Sequence, residues 1–116
     1  MTSQDGIWLV EYQGKFGQGI AIIVLVGGNI TGAGSRGGLW DGTYKFNEAS
    51  GNLDMTLTIR FASGVASTVM KLIGKAATSE TYNFSVPANV EEHRLPPLQT
   101  LLGPISAVMR KLRDLP

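Results

Sequence analysis

The chain has no cysteine and only one histidine, His93. Without cysteine, disulfides, thiol catalysis and cysteine-ligated metal sites are excluded. A zinc site needs three or four ligands, so carboxylates would have to supply all but one of them. His93 lies in the polar stretch from Val90 to Arg94, which we interpret as a solvated loop. We therefore expect no metal site and no cofactor. We also expect no Ser-His-acid triad, since the nucleophile elbow G-x-S-x-G does not occur.

The chain also has little net charge and no long apolar run. The formal net charge is +1 at pH 7, which is too small to favour a nucleic-acid or membrane surface. The longest apolar run, residues 20–26, is far shorter than the roughly 20 residues of a membrane-spanning helix. The polar start MTSQDG lacks the basic-then-apolar order of a signal peptide. We expect a soluble, cytoplasmic protein that binds neither nucleic acid nor membrane.

Glycine, in contrast, is abundant. It accounts for 15 of 116 residues, about double the usual share of roughly 7%. With no collagen period, this abundance is typical of tight hairpins, bulges and barrel corners. Gly32, Gly34 and Gly37 match G-x-G-x-x-G, but the strand-like GLWDGTYKF follows, where a dinucleotide site requires a helix. We interpret them as hairpin glycines. Gly27-Gly28-Asn29 predicts a compact turn with positive φ.

The clearest strand signal is the alternation from Leu39 to Phe61, on either side of a turn at Asn47–Asn52. A period of two places successive side chains on opposite faces of a strand, so this segment predicts a hairpin with one apolar face. Further strands are predicted at residues 7–12, 18–26, 30–35, 66–75 and 81–86. Strands about ten residues apart with glycine turns are typical of a barrel or sandwich. We predict one all-β domain over residues 1–116, an antiparallel up-and-down meander of about eight strands that closes into a barrel.

The C-terminal segment, residues 105–113, is ambiguous between helix and strand. Four apolar residues have the i, i+3, i+4, i+7 spacing of an amphipathic helix: Ile105, Val108, Met109 and Leu112. A short apolar segment cannot be assigned by periodicity alone, however. Because seven earlier strands need an edge partner, we favour a closing strand.

Aromatic residues dominate the face that the alternation turns inward. The predicted interior lining consists of Trp8, Tyr12, Trp40, Gly42, Tyr44, Phe46, Phe61, Tyr82 and Phe84. These side chains either fill the barrel or line an apolar cavity. Gly42, between Trp40 and Tyr44, removes volume where a ligand or a crossing strand could sit. The acids Glu11 and Asp41 alternate onto the wet face, so a catalytic buried carboxylate is disfavoured and we expect no enzymatic activity.

The second strand is apolar on both faces, although a lone barrel needs only one face covered. One face carries Ile20, Ile22 and Val24, and the other carries Ala21, Ile23 and Leu25. Because Ala21 makes the second set smaller, we expect the first set to be outermost. We predict that Ile20, Ile22 and Val24 pack against a second copy across a two-fold axis, giving a homodimer. The alternative is that the C-terminal segment covers them within one chain.

Four segments of the chain resemble a known family: DGIWLVEY, GQGI, NITGAG and GLWDGTYKF. This family is the GrlR-like small barrels, named for a negative regulator of bacterial type III secretion. The matching residues are Asp5, Gly6, Ile7, Trp8, Gly19, Asn29, Gly32, Trp40, Asp41 and Gly42. The resemblance implies an eight-stranded lipocalin-like barrel, often a homodimer, that blocks a transcriptional activator without catalysis. In the family's best-known member, the partner contact uses a run of four acidic residues just after the last of these strands. Here the corresponding turn is NEASGN, in which only Glu48 is acidic.

Two functions are consistent with this sequence. The first is a regulatory or adaptor barrel in a bacterial cytoplasm that binds an unknown protein partner. The second is a lipocalin-like carrier that holds a small apolar ligand in the barrel interior. An eight-stranded barrel is only just wide enough to be filled by side chains or to hold one small ligand. Because eight aromatic residues point inward, we expect side chains to fill it, which favours the protein-binding role.

Overall fold

The computed structural model describes residues 4–15, 17–35, 38–60, 79–88, 92–100 and 103–115. Within these ranges the secondary structure consists of nine strands and no helix. The strands are β1 (Gly6–Gly14), β2 (Gly17–Val26), β3 (Asn29–Gly34), β4 (Leu39–Asn47), β5 (Asn52–Arg60), β6 (Ser79–Pro87), β7 (Glu92–Arg94), β8 (Leu98–Thr100) and β9 (Gly103–Arg113). The C-terminal segment is therefore a strand, as favoured. Phe61 and the strand predicted at residues 66–75 lie outside the described residues.

The strands form one antiparallel sheet that curls into a nearly closed barrel. Their order is β6-β5-β4-β3-β2-β1-β9-β7, and β8 also pairs with β9. From β1 to β6, neighbours in the chain are neighbours in the sheet, which is the connectivity of an up-and-down meander. Strand β9 then returns to pair with β1. The predicted all-β antiparallel meander is confirmed.

Glycine and asparagine set the tight turns at one end of this sheet. Gly27 and Gly28, between β2 and β3, have φ angles of 57° and 85°, which is the left-handed geometry that a two-residue hairpin turn favours. The β4–β5 turn is held by Asn47, whose Oδ1 accepts from the backbone N–H groups of Ala49 and Ser50 at 3.0 and 3.3 Å. These turns fix the register of the hairpins.

Alternation along each strand builds the interior. On β2, Ala21, Ile23 and Leu25 are each at most 2% exposed. Trp8 of β1 has no exposed surface, and it belongs to one continuous cluster of buried apolar residues that draws on most of the strands. The core is thus made by the inward faces of the meander, as a one-sided sheet requires.

Residues 92–100, which we call the β7–β8 segment, run beside β9 as one interrupted edge strand. Strand β7 pairs with residues 108–110 and β8 with residues 103–105. Between them, the Leu95 N–H donates to the Ala107 carbonyl at 3.0 Å. Pro96 and Pro97 follow and have no N–H to donate, so the ladder is interrupted there.

Candidate functional site

Most of the predicted interior residues lie in or against the core. Trp8, Trp40, Tyr82 and Phe84 are buried, whereas Tyr12, Tyr44 and Phe46 are partly buried and pack against the same cluster. The rings of Tyr12 and Trp40 lie 5.7 Å apart between centroids, at a tilt of 40°. Such aromatic contacts fill volume inside the barrel.

The gap predicted at Gly42 is occupied by the neighbouring strand. A Cβ atom at this position would overlap the carbonyl oxygen of Thr56 and lie 3.1 Å from the Cα of Leu57, both on β5. This neighbour is β5, the hairpin partner of β4 in the same sheet, so it is neither the ligand nor the crossing strand that the sequence left open. Glycine is required at Gly42 because two backbones approach closely.

His93 is the main correction to the sequence analysis. The prediction of a solvated loop is wrong for this residue, which is the middle residue of β7 and is only 3% exposed. Its ring stacks on that of Trp8, with 5.3 Å between centroids and 13° between planes. The flanking Glu92 and Arg94 are exposed, because alternation along a strand turns the middle side chain to the opposite face.

Three buried polar atoms near Trp8 lack hydrogen-bond partners in the described part of the chain. Among the described residues, neither ring nitrogen of His93 has a hydrogen-bond partner, and neither does the buried Oε1 of Gln4. The Nε1–H of Trp8 donates to the Gln4 backbone carbonyl at 3.0 Å. We call Gln4, Trp8 and His93 the histidine cluster. Burial lowers the pKa of His93, because the charged ring would lose its hydration.

The histidine cluster predicts that acid destabilises the protein between pH 7.5 and 5.5. The unfolded chain takes up a proton on His93 near its ordinary pKa of about 6.5, while the buried ring resists protonation. The contribution of the buried neutral ring to the unfolding free energy is therefore fully present above the pKa of the unfolded chain. It decreases as the pH drops towards the lowered pKa of the folded state. We expect a loss of at most about 1.4 kcal/mol over this range. Urea denaturation at the two pH values measures it.

The control for this titration is His93→Phe, which keeps an aromatic ring on Trp8 and removes the titrating group. Its unfolding free energy should vary less with pH than that of the wild type over the same range. Equal pH dependence in the two proteins would contradict the assignment to His93.

A second polar group ties the start of β1 to the next hairpin. Asp5 accepts from the hydroxyl of Tyr44 and, at 3.4 Å, from the Gly27 N–H. Burial, together with the hydrogen bond to Asp5, raises the pKa of Tyr44 to about 12. The phenol thus remains a donor across the physiological range, so Asp5 links β1, β4 and the β2–β3 turn. Asp5, one of the residues that match the GrlR-like pattern, therefore has a structural role in this chain.

The two acids considered for catalysis do not lie together in the interior. Glu11 is exposed and pairs with Arg110 at 3.2 Å. Asp41 is half-buried on β4, opposite Thr31 of β3 and Thr58 of β5. Within the described ranges, no group of three or more His, Cys, Asp or Glu side chains is placed to hold a metal ion.

The outer face carries a continuous set of apolar side chains. Ile20 and Ile22 of the predicted dimer patch are 47% and 42% exposed, and Val24 is half-buried. The strand register extends this set sideways, since Leu9 lies opposite Ile22, Ile22 opposite Ala33, and Ala33 opposite Leu39. We call Leu9, Ile22, Ala33 and Leu39 the outer apolar row. Leu39 is 55% exposed.

Sequence reasoning missed Leu39 as part of this surface. The available signal was its position one residue before the inward Trp40, which turns it outward. Its alignment with Ile22 depends on the register of three strands, which the sequence pattern did not fix. A groove of about 460 Å³ adjoins this surface and is lined by Ile20 together with polar residues that include Glu11, Gln18, Ser35 and Arg94.

The part of the chain that the structure describes contains no helix that could span a membrane. No protein-family model matches the chain, and no curated protein matches it in sequence. Membership of the GrlR-like family therefore stays a prediction.

Proposed function

We propose that this chain is a non-enzymatic binding protein, a GrlR-like regulatory or adaptor barrel that acts by protein–protein contact in a bacterial cytoplasm. The observation that carries the proposal is the outer apolar row. Ile22 and Leu39 are large and about half exposed, and the exposed Ala33 on β3 lies between them. The half-buried Leu9 extends the row to β1. Contiguous exposed apolar patches on soluble proteins mark interaction sites more often than scattered residues do.

The occupant that fits this surface best is a second copy of the chain, with the row meeting itself across a two-fold axis. The row has a charged border on one side. Arg110 lies opposite Leu9 and pairs with Glu11, which lies opposite Ile20. An apolar centre with a polar rim is the usual composition of a protein interface. A homodimer would leave other surfaces of the barrel free for a regulated protein partner.

The packing of the interior supports protein binding over the carrier role. A carrier of a small apolar ligand needs space among the inward side chains. The position at Gly42 that suggested such space is occupied by the β5 backbone. Trp8, Trp40 and Met55 are at most 6% exposed and belong to one cluster. Native mass spectrometry separates the two roles, since a co-purifying metabolite of fixed mass would establish the carrier.

The dimer is tested by placing a charge in the outer apolar row. Sedimentation equilibrium between about 1 and 100 μM should show a dimer for the wild type. Ile22→Lys is expected to weaken the dimer at least tenfold, because an unpaired buried charge costs more than about 1.4 kcal/mol. Thr43→Lys is the control, since Thr43 is exposed on β4 and lies outside the row. A monomeric wild type throughout this range would contradict the homodimer.

A further inference from the structure

We propose that the β7–β8 segment is a pH-gated latch. When the medium becomes acidic, β7 leaves β9 and Trp8 and so uncovers the part of the barrel interior around Trp8. The inference goes beyond the proposed function, because it concerns access to the core and does not involve the outer apolar row. It rests on how the segment is anchored, on where its ladder is interrupted, and on which charges face His93.

Two side chains anchor the N-terminal half of the segment in the core. His93 is 3% exposed and Leu95 is 6% exposed. Glu92, Arg94 and Pro96 are exposed. Of the two anchors, His93 alone can change its charge near neutral pH. The stack of this ring on Trp8 is therefore the contact that acid can weaken.

The backbone connections of β7 are few. Strand β7 has three paired positions on β9, whereas β1 has eight on the other side of the same strand. Beyond Leu95, the prolines at 96 and 97 interrupt the ladder before β8 begins. Because the two short strands are separated in this way, β7 can detach while β8 remains paired. Elements with few buried contacts at a sheet edge are the ones that open locally.

Among the described residues of β1 and β9, the strands beside His93, no inward position carries a carboxylate to stabilise an imidazolium. On β1, the inward neighbours of Trp8 are Gly6 and Val10. On β9, His93 lies opposite Met109, and the inward positions on either side are Ala107 and Lys111.

The charged groups on these elements are already engaged or point outward. The inward charged residue of β9 is Lys111, a cation that pairs with Asp114 at 2.5 Å. Asp5, just before β1, binds Gly27 and Tyr44. Glu92 and Arg94 of β7 point away to solvent. Burial lowers the pKa of His93 in this setting, which agrees with closure around the neutral ring.

The size of the effect follows from proton linkage. In the open state the histidine titrates near its ordinary pKa of about 6.5, whereas in the closed state burial lowers its pKa. The ratio of open to closed molecules then rises by at most about tenfold between pH 7.5 and pH 5.5.

Hydrogen exchange with mass spectrometry tests the latch on the full chain. Protection factors, each corrected for the intrinsic exchange rate at its pH, are compared at pH 7.5 and pH 5.5. We expect the peptide that covers residues 92–95, which includes the bonded Leu95 N–H, to lose protection up to tenfold. A peptide from β5, residues 52–60, should stay more protected than residues 92–95 at both pH values, because local opening exposes β7 without the global unfolding that β5 requires.

The matched variant is His93→Phe, whose protection at residues 92–95 should not depend on pH. If that variant does not fold, His93→Gln serves, since it also removes the titration. Unchanged protection in the wild type would overturn the proposal. So would an equal change in the variant that folds, or equal protection factors in β5 and in residues 92–95, which would indicate that both exchange through global unfolding.

Discussion

Replacing Trp8 with alanine is expected to lower the free energy of unfolding by about 3–5 kcal/mol. The indole is completely buried, stacks on His93 and donates to the Gln4 carbonyl. The substitution therefore removes a large apolar group and leaves a cavity. It also removes the ring on which His93 stacks and the donor to the Gln4 carbonyl. Denaturant titration at pH 7.5 measures the loss.

The control for Trp8 is Leu39→Ala, which also removes a large apolar side chain but from a position that is 55% exposed. It should change the unfolding free energy of the monomer by about 0.5 kcal/mol or less. A loss below about 1 kcal/mol for Trp8→Ala would contradict its central place in the core. Trp8→Phe should lie between the two, since it keeps a ring for His93.

Replacing Gly42 with valine is expected to cost about 3 kcal/mol, at the upper end of the range for overpacked sites. The new side chain would overlap the Thr56 carbonyl and crowd the Cα of Leu57. Backbone atoms cannot rotate away as the end of a flexible side chain can, so β4 and β5 would have to separate. Thermal unfolding followed by circular dichroism provides the measurement.

Thr43→Val introduces the same side chain one residue further along β4, at an exposed outward position. Its expected effect is within about 0.5 kcal/mol. Similar melting temperatures for the two valine variants would show that β5 does not approach Gly42 closely.

The parts of the fold that the sequence predicted are those that a local pattern specifies. Alternation correctly separated Trp40 from Asp41, and Ile23 from Ile22, because side-chain direction in a strand depends only on position parity. The glycine pair at 27 and 28 predicted its turn because positive φ is a property of single residues. The C-terminal strand was harder to assign, since its apolar spacing fits both a helix and a sheet.

The parts that could not be predicted depend on partners distant in the chain. His93 lies in a strand of three residues, which is too short for a period to be read, between two charged neighbours. The outer apolar row exists only because four strands have a particular register, and a shift of one residue would turn each apolar set to the other face. Gly42 showed that volume was missing, but only the register identified β5 as its neighbour.

The return of β9 to β1 has a consequence for how this chain folds. Glu11 and Arg110, which meet across that seam, are 99 residues apart, whereas the hairpins from β1 to β4 close over a few residues each. Closing the longer loop costs about 3 kcal/mol more entropy than closing a tight hairpin. The hairpins should therefore form first, and the seam should set the folding rate. During synthesis, β1 emerges about 100 residues before its partner, and its edge remains open to other strands until β9 arrives.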